Sequence, residues 1–261
     1  MKLERVAIVG HSGKPQSRQI QEELERWLKE KGIEVTDQDP DLVLSLGGDG
    51  TMLRAAHAAH AADAPLLGVN MGTLGYLSEV DAGAEKGSLE RVIAGDFELE
   101  ERMMLRCEAE GFDSHVALNE VLVERTSRRR LVKLQVWVGG ERLATFNADG
   151  VIVATPTGST AYALSAGGPI VSPRAQCLVL VPVSAHMIFA RPFVLAPDEI
   201  VEIQVDPGGD PAALALDGSV EHDLAPGAKV LVRRHFRPLK LVRLSGPGFV
   251  ERLRAKLGLP G

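Results

Sequence analysis

Leu42 to Leu46 reads as a buried strand, and it runs directly into Gly47-Gly48-Asp49-Gly50-Thr51 and an Ala-rich helical stretch, Thr51 to Ala62. A strand that turns straight into a helix cannot continue as a hairpin. The helix has to cross back over the sheet, so the next strand lies parallel to the first. The same grammar repeats on either side. Arg5 to Val9 reads as a buried strand, and Gln16 to Lys31 has helical spacing, with Ile20, Leu24, Trp27 and Leu28 on one stripe and Gly32 as its stop. A strand at Leu66 to Val69 and a helix over Ala84 to Ala94 follow. The first 98 residues therefore predict an α/β domain with a parallel sheet.

From residue 99 the pattern changes to period two. Val132, Leu134, Val136 and Val138 share one face of the run 131–138, with Lys133 and Gln135 on the other, and Gly139-Gly140 reads as a hairpin turn. Val201, Ile203 and Val205 alternate likewise. Further strands fit Leu99–Glu108, Ala117–Glu124, Val151–Ala154, Leu178–Val181, Lys229–Arg233 and Leu239–Leu244, separated by turns such as Pro207-Gly208-Gly209 and Pro226-Gly227. Residues 99–240 thus predict a β-rich domain of layered sheets, and 241–261 a closing segment, helical from Gly248 to Leu257. A chain of 261 residues accommodates both domains.

Charge and composition exclude several classes of function. The net charge of -6 is wrong for coating nucleic acid. No apolar run approaches the roughly 20 residues of a membrane span. The start, MKLERVAIVGHSG, enters a strand pattern without a long apolar signal region, so a cytoplasmic location is expected. Cys107 and Cys177 sit in apolar strand-like runs without CxxC spacing and are expected to be reduced, buried thiols. His57 and His60 are three apart on a helix, but no cysteine or carboxylate accompanies them, so no protein-held metal site is expected.

The Gly-Gly-Asp-Gly-Thr turn carries the chemistry. Gly48 and Gly50 let the backbone approach a ligand closely, and the helix start favours phosphate. Thr51 is a candidate cap. Asp49 is the odd member, because a carboxylate beside a phosphate site costs electrostatic energy. It makes sense as the acceptor of a proton from an attacking hydroxyl, or as a partner for phosphate-bound Mg²⁺. Both point to phosphoryl transfer to a hydroxyl; the plain alternative is a capped turn. Arg54, about one turn into the helix, is placed to reach a phosphate or to be a solvated helix charge. Gly10-His11-Ser12-Gly13-Lys14 fits neither GxGxxG nor the Walker A spacing, and no GxSxG elbow occurs.

Two more features stand out. Asn147-Ala148-Asp149-Gly150 precedes a run dense in hydroxyls and glycine, Thr155-Pro156-Thr157-Gly158-Ser159-Thr160-Ala161-Tyr162, continuing through Ser165 to Pro169. Hydroxyls and backbone groups at a strand end suit a base or ribose, the alternative being a solvated loop. Asn119-Glu120 breaks the apolar strand 117–123, either as a sheet-edge pair or for bidentate recognition of ribose hydroxyls or an adenine edge.

Taken together, GGDGT, then Asn70-x-Gly72-x-Leu74-Gly75-Tyr76-Leu77, Asn119-Glu120, Asp149-Gly150, TPTGSTAY and SAGGPI resemble the NAD kinase family in order and spacing. LEERMML at 99–105, His186 with Arg191-Pro192, Asp217-Gly218 and Leu253–Leu257 extend the resemblance over nearly the whole chain. It implies ATP-dependent phosphorylation of the adenosine-ribose 2′-hydroxyl of NAD, giving NADP, with a divalent cation, Mg²⁺ being the expected one. It also implies that the last helix returns to the first domain. Asp49 matches the family's proton acceptor, with Gly50 beside it. Asn119 and Glu120 match the pair that holds the adenosine portion. Asp149 matches the carboxylate at the nicotinamide end, with Asn147 next to it. Thr160, Ala161, Tyr162 and Ser165, with Thr157 just before them, fall in the ligand-lining run, and Arg130 falls at a further contact position. The resemblance further implies a homodimer or homotetramer with sites shared between subunits, Asp49 from one chain and Asp149 from its neighbour.

Two positions depart from the family pattern. Tyr76 stands where Phe is common, and Ser219 stands where many members carry Gln, a shorter side chain at a ligand-contact position. A lipid or sugar kinase sharing GGDGT has no use for Asn119-Glu120 together with TPTGSTAY. A non-catalytic dinucleotide sensor has no use for Asp49.

Overall fold

The computed structural model describes residues 2–10, 15–72, 75–185 and 191–259. His11 to Lys14, Leu74 of the Asn70–Leu77 motif and His186 lie outside the described residues. The chain divides into two compact units, Met1–Glu101 with Leu239–Gly261, and Arg102–Pro238.

The first unit opens with β1 (Arg5–Gly10), α1 (Pro15–Glu30), β2 (Glu34–Val35) and β3 (Leu42–Gly47). Leu24 and Leu28 of α1 are buried, and Ile20 and Trp27 pack beside them, so the stripe read from the sequence is the packing face. Proline at the first helical position and Gly32 in the left-handed region after the last turn delimit α1. β3 is buried at every residue because it pairs in parallel with strands on both sides. α2 (Asp49–Ala62), β4 (Leu66–Asn70), β5 (Val80–Asp81), α3 (Glu85–Ala94) and β6 (Glu98–Arg102) follow.

The second unit is almost entirely antiparallel. Its elements are β7 (Leu105–Ala109), β8 (Phe112–Ala117), β9 (Glu120–Arg125), β10 (Val132–Val138), β11 (Glu141–Ala148) and β12 (Gly150–Ala154). A single helical turn, α4 (Tyr162–Ser165), leads to β13 (Leu178–Val183), β14 (Phe193–Leu195), β15 (Val201–Val205), β16 (Ala212–Leu216), β17 (Ser219–Leu224) and β18 (Lys229–Arg234). They form two six-stranded sheets, β11-β10-β15-β18-β7-β8 and β14-β13-β12-β9-β16-β17. One apolar core joins them: Leu134, Val136 and Ile203 from the first pack with Val123, Val151 and Leu214 from the second. The other face of the second sheet is covered as well. There Ile152, Val179 and Val181 pack with Ala163 and Cys177, which fastens the segment after β12 to the sheet.

The chain then rejoins the first unit with β19 (Leu239–Arg243) and α5 (Phe249–Leu257). The first sheet runs β2-β1-β3-β4-β19-β6, with β5 also pairing β4. A strand returns as well as a helix.

Three local expectations change. The run 99–108 is two strands in different sheets, β6 and β7, because Met103 and Met104 are buried between them as the chain leaves one unit for the other. The run 117–124 is likewise split. β8 stops at Ala117 and β9 starts at Glu120, so Asn119 lies in a break rather than inside a strand. α2 begins at Asp49, two residues early, with Gly48 as its cap residue and no side-chain capping bond. Thr51 is therefore not the cap. Its buried hydroxyl fills the space over Gly47, where any Cβ would overlap it.

Candidate active site

In the first unit the site begins where β3 ends. Gly48 has extended backbone, and its carbonyl accepts from the Thr51 and Met52 amides at 3.0 Å, starting α2. Among the described residues, a Cβ on Gly48 or Gly50 would meet nothing within 4 Å beyond its chain neighbours and the helix backbone, and neither glycine has a positive φ. None of the described residues requires glycine there. What remains is a close approach from outside, to a helix start that carries uncapped amides.

Asp49 is half-exposed. Its Oδ1 sits on the backbone of Gly75, where a Cβ would overlap it, so the Gly75-Tyr76 segment is the seat of this carboxylate. Asn70 shapes the approach to that segment, with Nδ2 donating to the Gly72 carbonyl and Oδ1 accepting the Gly72 amide, both at 3.1 Å. Burial, with the Asp49 charge second, raises the Tyr76 phenol above its ordinary range. Lys256 of α5 lies 3.8 Å from Asp49 Oδ2 and 5.5 Å from the Tyr76 ring centre.

The Gly75–Glu79 segment is held from below by a buried network. Arg252 donates to the carbonyls of Pro247 (2.8 Å), Gly75 (3.4 Å) and Ser78, and to Glu79 Oε2 at 3.1 Å. Glu79 also receives Arg243 and the amides of Leu244 and Gly246, each at 2.8 Å. Such a pair is stable because its charges are fully hydrogen-bonded. Arg54 is exposed and donates to the Gly10 carbonyl at 3.3 Å, which ties α2 to the end of β1.

In the second unit the Asn119-Glu120 break has a defined cause. The Asp217 carboxylate accepts three consecutive amides, Leu118 at 2.8 Å, Asn119 at 2.7 Å and Glu120 at 3.2 Å. Asp217-Gly218 is the hairpin turn between β16 and β17, with both residues at positive φ. From the other side Thr155 Oγ1 donates to the Leu118 carbonyl at 2.6 Å, and its amide reaches Asn119 O at 2.8 Å. Gly158 packs so closely on Asn119 that a Cβ would overlap its carbonyl. Asn119 and Glu120 are thus clamped as a rigid unit.

Glu120 is buried and its Oε2 has no hydrogen-bond partner. Burial, reinforced by the Asp217 charge, pushes its carboxyl up to about 8, against the backbone N–H of Tyr162. An orphaned buried acceptor costs free energy that a ligand donor recovers. Tyr162 is exposed; burial of part of its ring and the charges of Glu124, Asp149 and Glu120 raise its phenol. These four residues therefore converge. Asp149 is ion-paired with Arg125 at 2.5 Å.

The other expected residues divide sharply. The hydroxyls of Thr157, Ser159 and Thr160 are engaged within the second unit: Arg102 donates to Thr157 at 3.3 Å, Ser159 donates to the Pro156 carbonyl at 2.7 Å, and Thr160 to the Thr157 carbonyl at 3.2 Å. These bonds shape the loop. Ala161 and the exposed Ser165 flank Tyr162 around α4. Asn147 is exposed on β11 opposite Lys133, Ser219 is exposed at the start of β17, and Arg130 makes an exposed pair with Asp210 at 3.3 Å. Asp217, Thr155, Gly158 and Gly75 carry positioning work that sequence reasoning did not assign them. The Asp-Gly pair between two alternating runs was the available signal for Asp217.

Among the described residues no three His, Cys, Asp or Glu side chains gather as metal ligands. A lone carboxylate at a Gly-rich, uncapped helix start fits a cation that arrives on nucleotide phosphates, since Mg²⁺ is usually held by one or two carboxylates plus phosphate oxygens.

Residues 35–97 match the ATP-NAD kinase N-terminal domain family and residues 118–244 the ATP-NAD kinase C-terminal domain family. The chain belongs to the NAD kinase family. An NAD kinase of Heliobacterium modesticaldum is 38% identical over 97% of this chain and 98% of its own length. One of Gemmatimonas aurantiaca is 42% identical over 92% of this chain and 85% of its own. Among solved structures, a yeast NADH kinase complexed with NADH matches with a TM-score of 0.91 at 26% identity, covering 100% of this chain and 89% of that one. An Archaeoglobus fulgidus NAD kinase in complex with ATP matches at 0.76 and 26%, covering 97% of each. The Gly48–Asp49–Gly50 turn lies in the N-terminal match, and the Asn119-Glu120 clamp in the C-terminal one.

Proposed function

We propose that the chain transfers the γ-phosphoryl group of ATP to the adenosine-ribose 2′-hydroxyl of NAD, giving NADP and ADP, with Asp49 as general base. The observation that carries the role of Asp49 is its setting: a half-exposed carboxylate, seated on Gly75, in a turn whose glycines leave room for a ligand. The 2′ O–H bond breaks as its proton passes to Asp49, a new O–P bond forms, and the bridging bond to the γ-phosphorus breaks with its electron pair leaving on ADP. A divalent cation carried on the phosphates would neutralise developing charge, and Asp49 would be the residue to hold it.

Glu120 and Asn119 take the adenosine portion, the orphaned Glu120 Oε2 accepting from a ligand hydroxyl or amine. Asp149 and Tyr162 form the flank toward the nicotinamide end. This reading includes a homodimer or homotetramer with sites shared between subunits, and a cytoplasmic location. None of the described helices is long and apolar enough to cross a membrane.

The test is to incubate purified protein with ATP, Mg²⁺ and either NAD or NADH, and to measure the phosphorylated product. NADH belongs in the assay because the similar yeast protein is an NADH kinase. Asp49→Asn should lower kcat by roughly 10²- to 10⁴-fold with NAD affinity little changed. Turnover near wild type in that variant sinks the role of Asp49, and absence of product from wild type sinks the activity.

A further inference from the structure

Lys256 lies in the last turn of α5, beyond both stretches matched by the family. Arg252, four residues earlier, is buried and bonded to the carbonyls of Gly75 and Ser78 and to Glu79. Residues four apart share a helix face. The anchor that fixes α5 to the seat of Asp49 therefore also presents Lys256 to Asp49 itself.

The contact is 3.8 Å, longer than the roughly 2.7–2.9 Å of a charge-assisted hydrogen bond. It is a Coulombic contact that leaves the three ammonium donors unused by Asp49. Among the described residues, Arg54 donates to the Gly10 carbonyl, and Arg252 is buried among its four acceptors. A polyphosphate brought to this turn meets the Asp49 carboxylate, which repels it. A mobile ammonium beside that carboxylate offsets the repulsion.

We propose that Lys256 binds the transferred phosphoryl group: its ammonium pairs with Asp49 in the structure and moves onto the terminal phosphate oxygens when the donor nucleotide binds. The move places a cation between the carboxylate and the phosphate and frees Asp49 toward the acceptor hydroxyl. The flexible four-carbon stem suits a donor that changes partners, and the Tyr76 ring at 5.5 Å supplies a surface along which it moves. The proposal rests on the kinase reading above. The competing explanation is that a lysine in a last helical turn only complements the helix dipole.

The experiment is kinetics and calorimetric ATP titration, with Mg²⁺ present and at several salt concentrations, on wild type, Lys256→Gln and Lys256→Arg. Lys256→Gln is expected to weaken ATP binding and raise KM for ATP by about 10- to 100-fold. KM for NAD stays put, and the salt dependence of ATP binding becomes shallower. Lys256→Arg recovers most of the loss. An unchanged ATP affinity and salt slope in Lys256→Gln overturns the proposal. So does a parallel rise in both KM values with a lowered melting midpoint, which marks a packing role for α5. If Lys256→Gln does not fold, Lys256→Arg decides, since its salt slope must equal that of wild type. Should wild type make no phosphorylated dinucleotide, the kinase reading fails, while the ATP titrations still judge Lys256.

Discussion

Gly50 offers a perturbation whose effects on stability and on activity have opposite signs. It is the second residue of α2, in helical conformation, and among the described residues nothing beyond its chain neighbours and its own helix backbone lies within 4 Å of the place its Cβ would occupy. For the chain alone, Gly50→Ala changes only helix propensity and unfolded-state freedom, a gain of about 0.5–1 kcal/mol. That corresponds to a melting midpoint higher by roughly 1–4 °C for a chain of this size. For a phosphate the same methyl stands in the way. Phosphate oxygens reach backbone amides at about 2.9 Å, and a methyl on the neighbouring Cα pushes them off. Losing one such bond raises KM for ATP about 10-fold or more. Thermal melting without ligand and steady-state kinetics with ATP varied measure both sides. A variant that is more stable and keeps wild-type ATP kinetics shows that no ligand approaches Gly50, and the reading of the turn fails.

The Glu120 carboxyl sits at about 8 in the folded chain against an ordinary 4.5, so between those values the folded chain keeps a proton that the unfolded chain has lost, and stability falls as pH rises through that window. Glu120→Gln should outlast wild type increasingly up to pH 8, by on the order of 2–4 kcal/mol, and should bind NAD about 10-fold or more weakly; denaturation curves that run parallel across the window, or unchanged NAD calorimetry, count against it. Asp217→Asn replaces an acceptor of three amides with a group that has one oxygen, so KM for NAD should rise and stability drop by about 1–3 kcal/mol, while KM for ATP holds. Mixing inactive Asp49→Asn chains with inactive Asp149→Ala chains should restore activity after subunit exchange; exchange verified by mass with no activity regained rules out a shared site.

Reading the sequence was sound where short-range pattern decides structure. The buried runs at 5–9 and 42–46, the α1 stripe and the alternation at 131–138 follow from periodicity alone, and the structure keeps them. It faltered where a distant residue decides. The break at Leu118-Asn119 exists because Asp217, 98 residues further on, takes their amides out of any ladder. The hydroxyls of TPTGST also have a structural task that no local pattern shows: Thr155 and Ser159 are bonded to carbonyls that only the folded loop brings near. Nor does local pattern reveal that Lys256 faces Asp49, since α5 is placed by the burial of Arg252 against Glu79.

The placement of β19 has a consequence for the order of events during synthesis. It stands between β4 and β6 in the first sheet, although the whole second unit is made between β6 and β19. At ribosomal speed that gap lasts on the order of ten seconds. Throughout it the nascent β4 and β6 lack the strand that lies between them, while the second unit, contiguous in the chain, has every strand it needs. The inserted unit is thus free to fold first, and the Asp49 seat is finished only when the last two elements emerge. A polypeptide released before α5 would carry the Asn119-Glu120 clamp but neither Arg252 nor Lys256, and so would lack the bonds that hold the Gly75–Glu79 segment under Asp49.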